Sequence, residues 1–380
     1  MQVLSATLDL RPGLPLAGFA GERLGRIGTT PLEVNAWRFR DSASDQRIEL
    51  CSIDALYAGE LADMPLAEPG QRIVAASHTH YAPMLDAAKP ALGTMSKEAL
   101  DCYAQALRGP AQEIESPSVC RIHRAEVAIP VYRRFDVPDS AINRWLTARA
   151  GMYPKHDQPV DRGLYLFEFA DHDRAQFVIA YHACHPVSRS RPDVLSPDYV
   201  GSVRAAVRSR FGVRTCLFLL GCAGDVRPDF ARKRVPWLPR GRLNWRFEYP
   251  PASENEAAAD RAYGEAVRGA AVMEEIDLRP APPRIVRRTL KLRSHPVEIP
   301  SLVLADRLRF DFLPFEVSHL FHLEARERDP RHFIVSCAGQ TRGYLPHPRQ
   351  LPAGGYEVDG SRACMGMHER AEFEPGALTW

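Results

Sequence analysis

Five apolar runs of strand length each end in residues capable of acid–base or metal chemistry. Arg72–Ser77 runs into His78-Thr79-His80, Gln176–Cys184 into His185-Pro186, and Thr215–Gly221 into Cys222-Ala223-Gly224-Asp225. Leu308–Phe315 runs into Glu316, and His332–Ala338 into a segment that ends in Arg342-Gly343-Tyr344. On a continuing strand, alternate side chains share a face, so His78 and His80 would present two imidazoles together. Two imidazoles presented in this way can bind one metal ion. Two turn histidines bonded to backbone would give the same pattern. Pro186 restricts the backbone of His185 and so the direction of its ring. Glu316 sits where a strand meets a helix, a place that suits either a ligand or a carboxylate stabilised by the helix N-terminus. Asp225 follows a glycine in a tight turn and reads as a cap or as a site residue. No Gly-Lys-Ser/Thr follows that turn, and the chain has no Gly-x-Ser-x-Gly elbow, so neither a phosphate loop nor a serine triad is supported.

These residues need a scaffold. The five runs are β-branched or aromatic and of strand length. Helices are expected at Pro197–Arg210 with Ser196 as cap, at Glu256–Glu275 and at Val317–Arg328. Alternating strands and helices predict an α/β fold, a layered mixed β-sheet with flanking helices. In open α/β sheets ligands lie beyond the strands' carboxyl ends, so a metal site is expected there. No linker divides the chain, and one domain over residues 1–380 is expected. The 32 prolines point to many fixed loops rather than long helices.

Composition narrows the function. Hydrophobic residues make up 45% and charged residues 25%, as in ordinary globular proteins. Forty-nine basic residues against 47 acidic ones leave a net charge of +2, which provides no global field for nucleic acid or membranes. The start of the chain lacks a basic, uninterrupted apolar signal, and no apolar run approaches the length of a membrane span. Eight scattered cysteines with no CxxC pair read as free thiols of a reducing compartment, so a cytoplasmic location is expected. Residues 231–252 stand apart as a basic, aromatic loop. Arg232, Lys233, Arg234, Arg240, Arg242 and Arg246 interleave there with Trp237, Trp245, Phe247 and Tyr249. A lid over an anionic substrate, a solvated loop or subunit contact, and a surface on which bases stack are the alternatives.

The order of the motifs resembles the neutral, non-lysosomal ceramidase family, and more closely its short bacterial members. The matching segments begin with Leu14-Pro15-Leu16-Ala17-Gly18-Phe19, Ser77-His78-Thr79-His80-Tyr81-Ala82-Pro83 and Tyr132-Arg133-Arg134. They continue through Ala183-Cys184-His185-Pro186, Ser196-Pro197-Asp198-Tyr199 and Gly221-Cys222-Ala223-Gly224-Asp225-Val226-Arg227-Pro228. Pro314-Phe315-Glu316, Gly343-Tyr344-Leu345-Pro346 and Gly354-Gly355-Tyr356-Glu357-Val358 complete the series. The resemblance implies an α/β catalytic domain and one zinc ion held by His78, His185, Glu316 and Tyr344. It also implies hydrolysis of an N-acyl amide bond by metal-activated water. His80 would contact the substrate carbonyl or the reacting water, and is the expected acid for the leaving nitrogen. Arg133 would bind a polar group of the substrate. Asp225 is expected to orient a ligand histidine, and Arg227 to clamp an anion or carbonyl. Arg227 stands where the long ceramidases carry a serine, so no acyl-enzyme is expected. Thirty-six residues follow Tyr344, too few for those enzymes' C-terminal β-sandwich. A small N-acyl substrate is therefore expected, an anionic one if the basic loop is a lid. An esterase, lactonase or deacetylase with the same centre, or a non-catalytic protein retaining the pocket, are the other readings. The oligomeric state is left open.

Overall fold

The computed structural model describes the chain except residues 20, 66–69, 137–149, 231, 235–245, 249–252, 293–295 and 366–380. Two five-stranded mixed sheets form its centre. In the first, Gly70–Ala76 pairs in parallel with Arg47–Ile53. Glu33–Arg40, Gln2–Thr7 and Gln112–Glu113 then continue antiparallel. In the second, Cys216–Leu220 pairs in parallel with Arg174–His182. Gly163–Asp171, Val119–Glu126 and Ala271–Asp277 follow antiparallel. The two sheets are tied where Ser52 Oγ donates to Phe218 O at 2.7 Å and accepts from Phe218 N at 2.9 Å.

The strands are apolar on both faces because both are covered. Alternate residues such as Val34, Ala36, Leu164, Leu166, Val178 and Phe218 join one core with the helices Lys97–Leu107, Tyr199–Phe211 and Ser253–Gly269. The residues between them, including Trp37, Leu50, Phe167, Phe169, Ile179 and Leu217, join a second core. That core also contains Leu302, Phe310, Phe312 and Phe333 of a four-stranded sheet, whose order is Arg284–Lys291, Pro296–Leu304, Leu308–Phe312 and His332–Val335. Each large side chain buried in this way contributes about 1.5–3 kcal/mol. The fold is thus mixed α/β, with several mixed sheets and flanking helices.

All five expected strands form. The helices differ in their ends. Asp198, not Ser196, caps Tyr199–Phe211, its carboxylate accepting from Tyr199 N. Ser318 caps His319–Arg328, so Glu316 lies outside that helix. The expected helix Glu256–Glu275 stops at Gly269, and Ala271–Asp277 becomes an edge strand paired with Val119–Glu126. Tertiary pairing there overrides the helical preference of Ala and Glu. Among the described cysteine side chains all are free, and all but the half-buried Cys102 are buried. Among the described residues no helix is long and apolar enough to cross a membrane.

Candidate metal centre and catalytic site

The strand ends converge. His78 follows Gly70–Ala76 and adopts a left-handed backbone, φ 65°. A non-glycine residue held there costs about 1–3 kcal/mol, a strain common at functional sites. Its Nδ1 lies 3.0 Å from Leu56 O. His185, beyond Arg174–His182, places Nδ1 2.6 Å from Ala223 O and 3.0 Å from Val226 O. A ring nitrogen facing a carbonyl must carry the proton, so both Nε2 atoms turn lone pairs inward.

Glu316 meets them. It pairs in a two-residue parallel strand with Tyr344, in register Glu316↔Tyr344. Gly224 makes this approach feasible, because a Cβ there would lie 2.8 Å from Glu316 O and 2.9 Å from Val317 O. Glu316 Oε2 stands 3.3 Å from His78 Nε2 and 3.3 Å from His185 Nε2. Ligands of a tetrahedral ion at about 2.0–2.1 Å stand about 3.3–3.4 Å apart, so both distances from Glu316 are those of ligands sharing one metal ion. Glu316 Oε2 and His78 Nε2 are buried with no hydrogen-bond partner among the described residues. Lone pairs facing one another in a buried site call for a proton or a metal ion between them. His78, His80 and His185 together offer ring nitrogens within 4.8 Å of one another, a cluster able to hold a metal.

Electrostatics agree with this arrangement. Burial would raise the Glu316 carboxyl, but His78 and His185 hold it well below the usual carboxylate range. Burial, then Arg133, pushes His185 down to about 4. For His78 burial opposes charge, yet Cys337 and Glu316 outweigh it and pull the group up.

Around this centre, Tyr344 is a neutral phenol: burial and Glu316 push its pKa well up, against Arg133. Arg133 donates through Nη2 to Tyr344 Oη at 3.0 Å, and its Nη1 lies 3.4 Å from His185 Nε2. Burial disfavours its charge, but Tyr344 and Glu357 more than restore it. Glu357 braces it, accepting from Arg133 Nε at 2.8 Å and from Arg134 Nη1 at 2.5 Å.

His80 occupies the other wall. Its ring lies 5.1 Å from the His78 ring and 5.9 Å from that of His185. Phe19 covers it at 5.0 Å. Arg23 clamps the segment, donating to Ala17 O, Pro192 O and, at 3.4 Å, His80 O. Neither ring nitrogen of His80 has a partner among the described residues. Burial, then the neighbouring His78 and His185, pushes its pKa well down. His80 is therefore a neutral imidazole, and a metal charge alongside would act in the same direction.

One expectation, that Asp225 orients a ligand histidine, needs correction. Asp225 does not touch His78 or His185. Its Oδ1 accepts from His319 N at 2.8 Å and lies 3.0 Å from His319 Nδ1. Its Oδ2 accepts from Ser318 Oγ at 2.5 Å and Gln350 Nε2 at 2.6 Å. Asp225 thus ties down the start of the His319–Arg328 helix, while the backbone carbonyls on either side of it orient His185. The carboxylate is ionised: burial opposes this, but His319 and Ser318 outweigh it. Arg227 is buried in the strand Val226–Pro228, and burial, then Arg133, brings its pKa down to about 9. That strand pairs with Pro130–Tyr132, so Arg133 and Arg227 come from neighbouring strands.

Of the basic loop, only Arg232–Arg234 and Arg246–Glu248 form described backbone, a short antiparallel ribbon. Residues 235–245, with Arg240, Arg242, Trp237 and Trp245, lie outside the described residues. Sequence reasoning missed Tyr57, whose hydroxyl donates to Glu316 Oε1 at 2.5 Å, and the bracing role of Glu357. Glu357 lies in a matched motif, whereas nothing local marks Tyr57.

No protein-family model matches the chain, and no curated protein matches it. Solved structures do. A ceramidase complexed with C2 superposes with a TM-score of 0.65 at 12% identity, over 94% of this chain and 71% of that one. The neutral ceramidase from Pseudomonas aeruginosa superposes with a TM-score of 0.65 at 12% identity, over 99% of this chain and 76% of that one. The chain therefore has a fold similar to that of neutral ceramidases, as its motif order implies.

Proposed function

We propose that this protein is a zinc-dependent hydrolase of an N-acyl amide bond. The observation that carries this reading is the convergence of His78 Nε2, His185 Nε2 and Glu316 Oε2, buried with Glu316 at ligand spacing from each imidazole, beside an imidazole whose two nitrogens have no partner among the described residues. The ceramidase-like fold supports it. His78, His185 and Glu316 would hold the ion, with Tyr344 beside them as the fourth candidate ligand. When bound, zinc supplies Lewis acidity and activates water.

The remaining chemistry belongs to the chain. Tyr344 and Arg133 form a pair of donors suited to the oxygen of a carbonyl and to the negative charge it gains when attacked. His80, neutral and with no partner among the described residues, accepts the proton that the attacking water loses. It then delivers that proton to the leaving nitrogen as the C–N bond breaks, having formed no covalent bond to the acyl group. Glu357 keeps the Arg133 fork in place. The pocket has no serine nucleophile at position 227, which supports direct attack by water. Asp225 acts through its side chain on the helix start it ties down.

The test joins two measurements. Elemental analysis of the purified full chain should find one equivalent of zinc, and hydrolysis of matched N-acyl amides and esters should show turnover of the amides. Zinc with ester turnover alone would move the reading to an esterase. Zinc with no turnover on either panel would favour a binding protein, and the absence of any bound metal would refute the proposal.

A further inference from the structure

Tyr57 has no role in the reading above, yet it touches the centre. It lies in the turn after Arg47–Ile53 and is 2% exposed. Its hydroxyl is 2.5 Å from Glu316 Oε1 and 3.5 Å from Met365 Sδ. Its ring is 5.4 Å from that of His78. Lys89 Nζ sits over the ring at 5.2 Å, itself ion-paired with Asp86. A phenol holds its proton at neutral pH and a carboxylate only accepts, so the hydroxyl is the donor of this bond.

The two oxygens of Glu316 are thereby divided. Oε1 is occupied by the phenol, while Oε2 faces His78 and His185 at 3.3 Å each. We propose that Tyr57 is a positioning residue that confines Glu316 to one-oxygen binding of the metal. The inference rests on the metal-centre reading above. A carboxylate free to rotate can offer both oxygens to an ion and fill a coordination position needed for water or substrate. A strong hydrogen bond to one oxygen prevents that and fixes the direction of the other. The Lys89 ammonium over the ring face draws electron density from the phenol and strengthens its donation.

The experiment compares the full-length wild type with Tyr57→Phe and Met365→Leu, loaded with zinc and, separately, with cobalt(II). Circular dichroism and melting establish that each variant folds. Competition with a chelator should show roughly 10–100-fold weaker zinc binding in Tyr57→Phe, the usual effect of losing a group that orients a ligand. Its cobalt absorption should weaken and shift towards that of a higher-coordinate ion, while Met365→Leu keeps the wild-type spectrum. A second readout on the wild type does not depend on any variant folding. In the infrared difference between metal-free and zinc-loaded protein labelled with ¹³C-glutamate, one-oxygen binding gives a wide carboxylate splitting and two-oxygen binding a narrow one.

A narrow splitting overturns the inference, as does unchanged affinity and spectrum in folded Tyr57→Phe. Equal losses in Met365→Leu would also overturn it, because packing rather than the hydrogen bond would then be responsible. If the wild type binds no metal, the metal-centre reading fails and takes this one with it. A wild type that binds zinc beside an unaltered Tyr57→Phe refutes this inference alone.

Discussion

Replacing Gly18 with alanine separates the two jobs assigned to the site. Gly18 has φ +104°, and a Cβ there would lie 2.6 Å from His80 Nδ1 and 2.8 Å from its Cγ. Two costs follow. An alanine forced into that backbone conformation loses about 1–3 kcal/mol. The imidazole must also give way by about 0.8 Å to recover an ordinary 3.4 Å contact. Phe19 covers the ring and the Arg23 clamp holds its backbone, so the displacement cannot be absorbed by sliding the segment outward. A misplacement near 1 Å at a reacting group can cost about 100-fold in rate. His78 and His185 keep their own anchors at Leu56, Ala223 and Val226, which Gly18 does not touch. Gly18→Ala should therefore keep its zinc while kcat on N-acyl substrates falls about 100-fold. Metal content by plasma emission and steady-state kinetics on the same preparation check both halves. Unchanged turnover would refute the role given to His80. Parallel loss of zinc and turnover would make His80 a ligand and overturn the division of labour.

Three further outcomes test other parts of the structure. His185→Ala removes an imidazole at the centre of the cluster and should purify with well under one equivalent of zinc; a full equivalent would contradict the ligand assignment. Arg204 is buried against Asp54 and lies 3.6 Å from Glu33, so Arg204→Met should cost about 3–5 kcal/mol in urea unfolding, with Arg204→Met/Asp54→Asn regaining part of it. Burial would raise Glu33, but its bonds to Arg208 and the nearby Arg204 lower it from 4.5 to about 2. A depressed carboxylate stabilises above its unfolded pKa and loses that contribution as pH falls through the folded one. The stability gap between wild type and Glu33→Gln should thus be largest above pH 4.5, on the order of 3 kcal/mol, and narrow towards pH 2; a gap independent of pH would show that the ion pair is not its source.

What could be read in the sequence follows the range of the interactions. The five strands were legible because each is a short apolar run whose burial requires no knowledge of its partner. Their carboxyl ends carried His78, His185 and Glu316, and those side chains do meet. The segment Ala271–Asp277 was not legible, because its Ala and Glu favour helix and only the adjacent strand Val119–Glu126 makes it extended. Asp225 was ambiguous for a similar reason. A carboxylate after a glycine turn can orient a histidine or hold the start of a helix, and the helix whose first N–H it accepts begins 94 residues later at His319.

The residues missed at the centre share one property. Tyr57 reaches Glu316 across 259 positions, and Glu357 reaches Arg133 across 224. Neither lies at the end of an apolar run, and a phenol or a carboxylate in a loop has many ordinary uses. Their roles exist only because the fold brings Glu316 and Tyr344 into register and then leaves one carboxylate oxygen and one guanidinium edge facing outward from the cluster. A group that touches the ion must have one of a few chemistries, so its residue type announces it. A group that only aims such a ligand needs no more than a well-placed hydrogen bond, and many residue types can make one. The ligand candidates could therefore be found from residue type and position in the chain, while the groups that hold them in place became visible only in three dimensions.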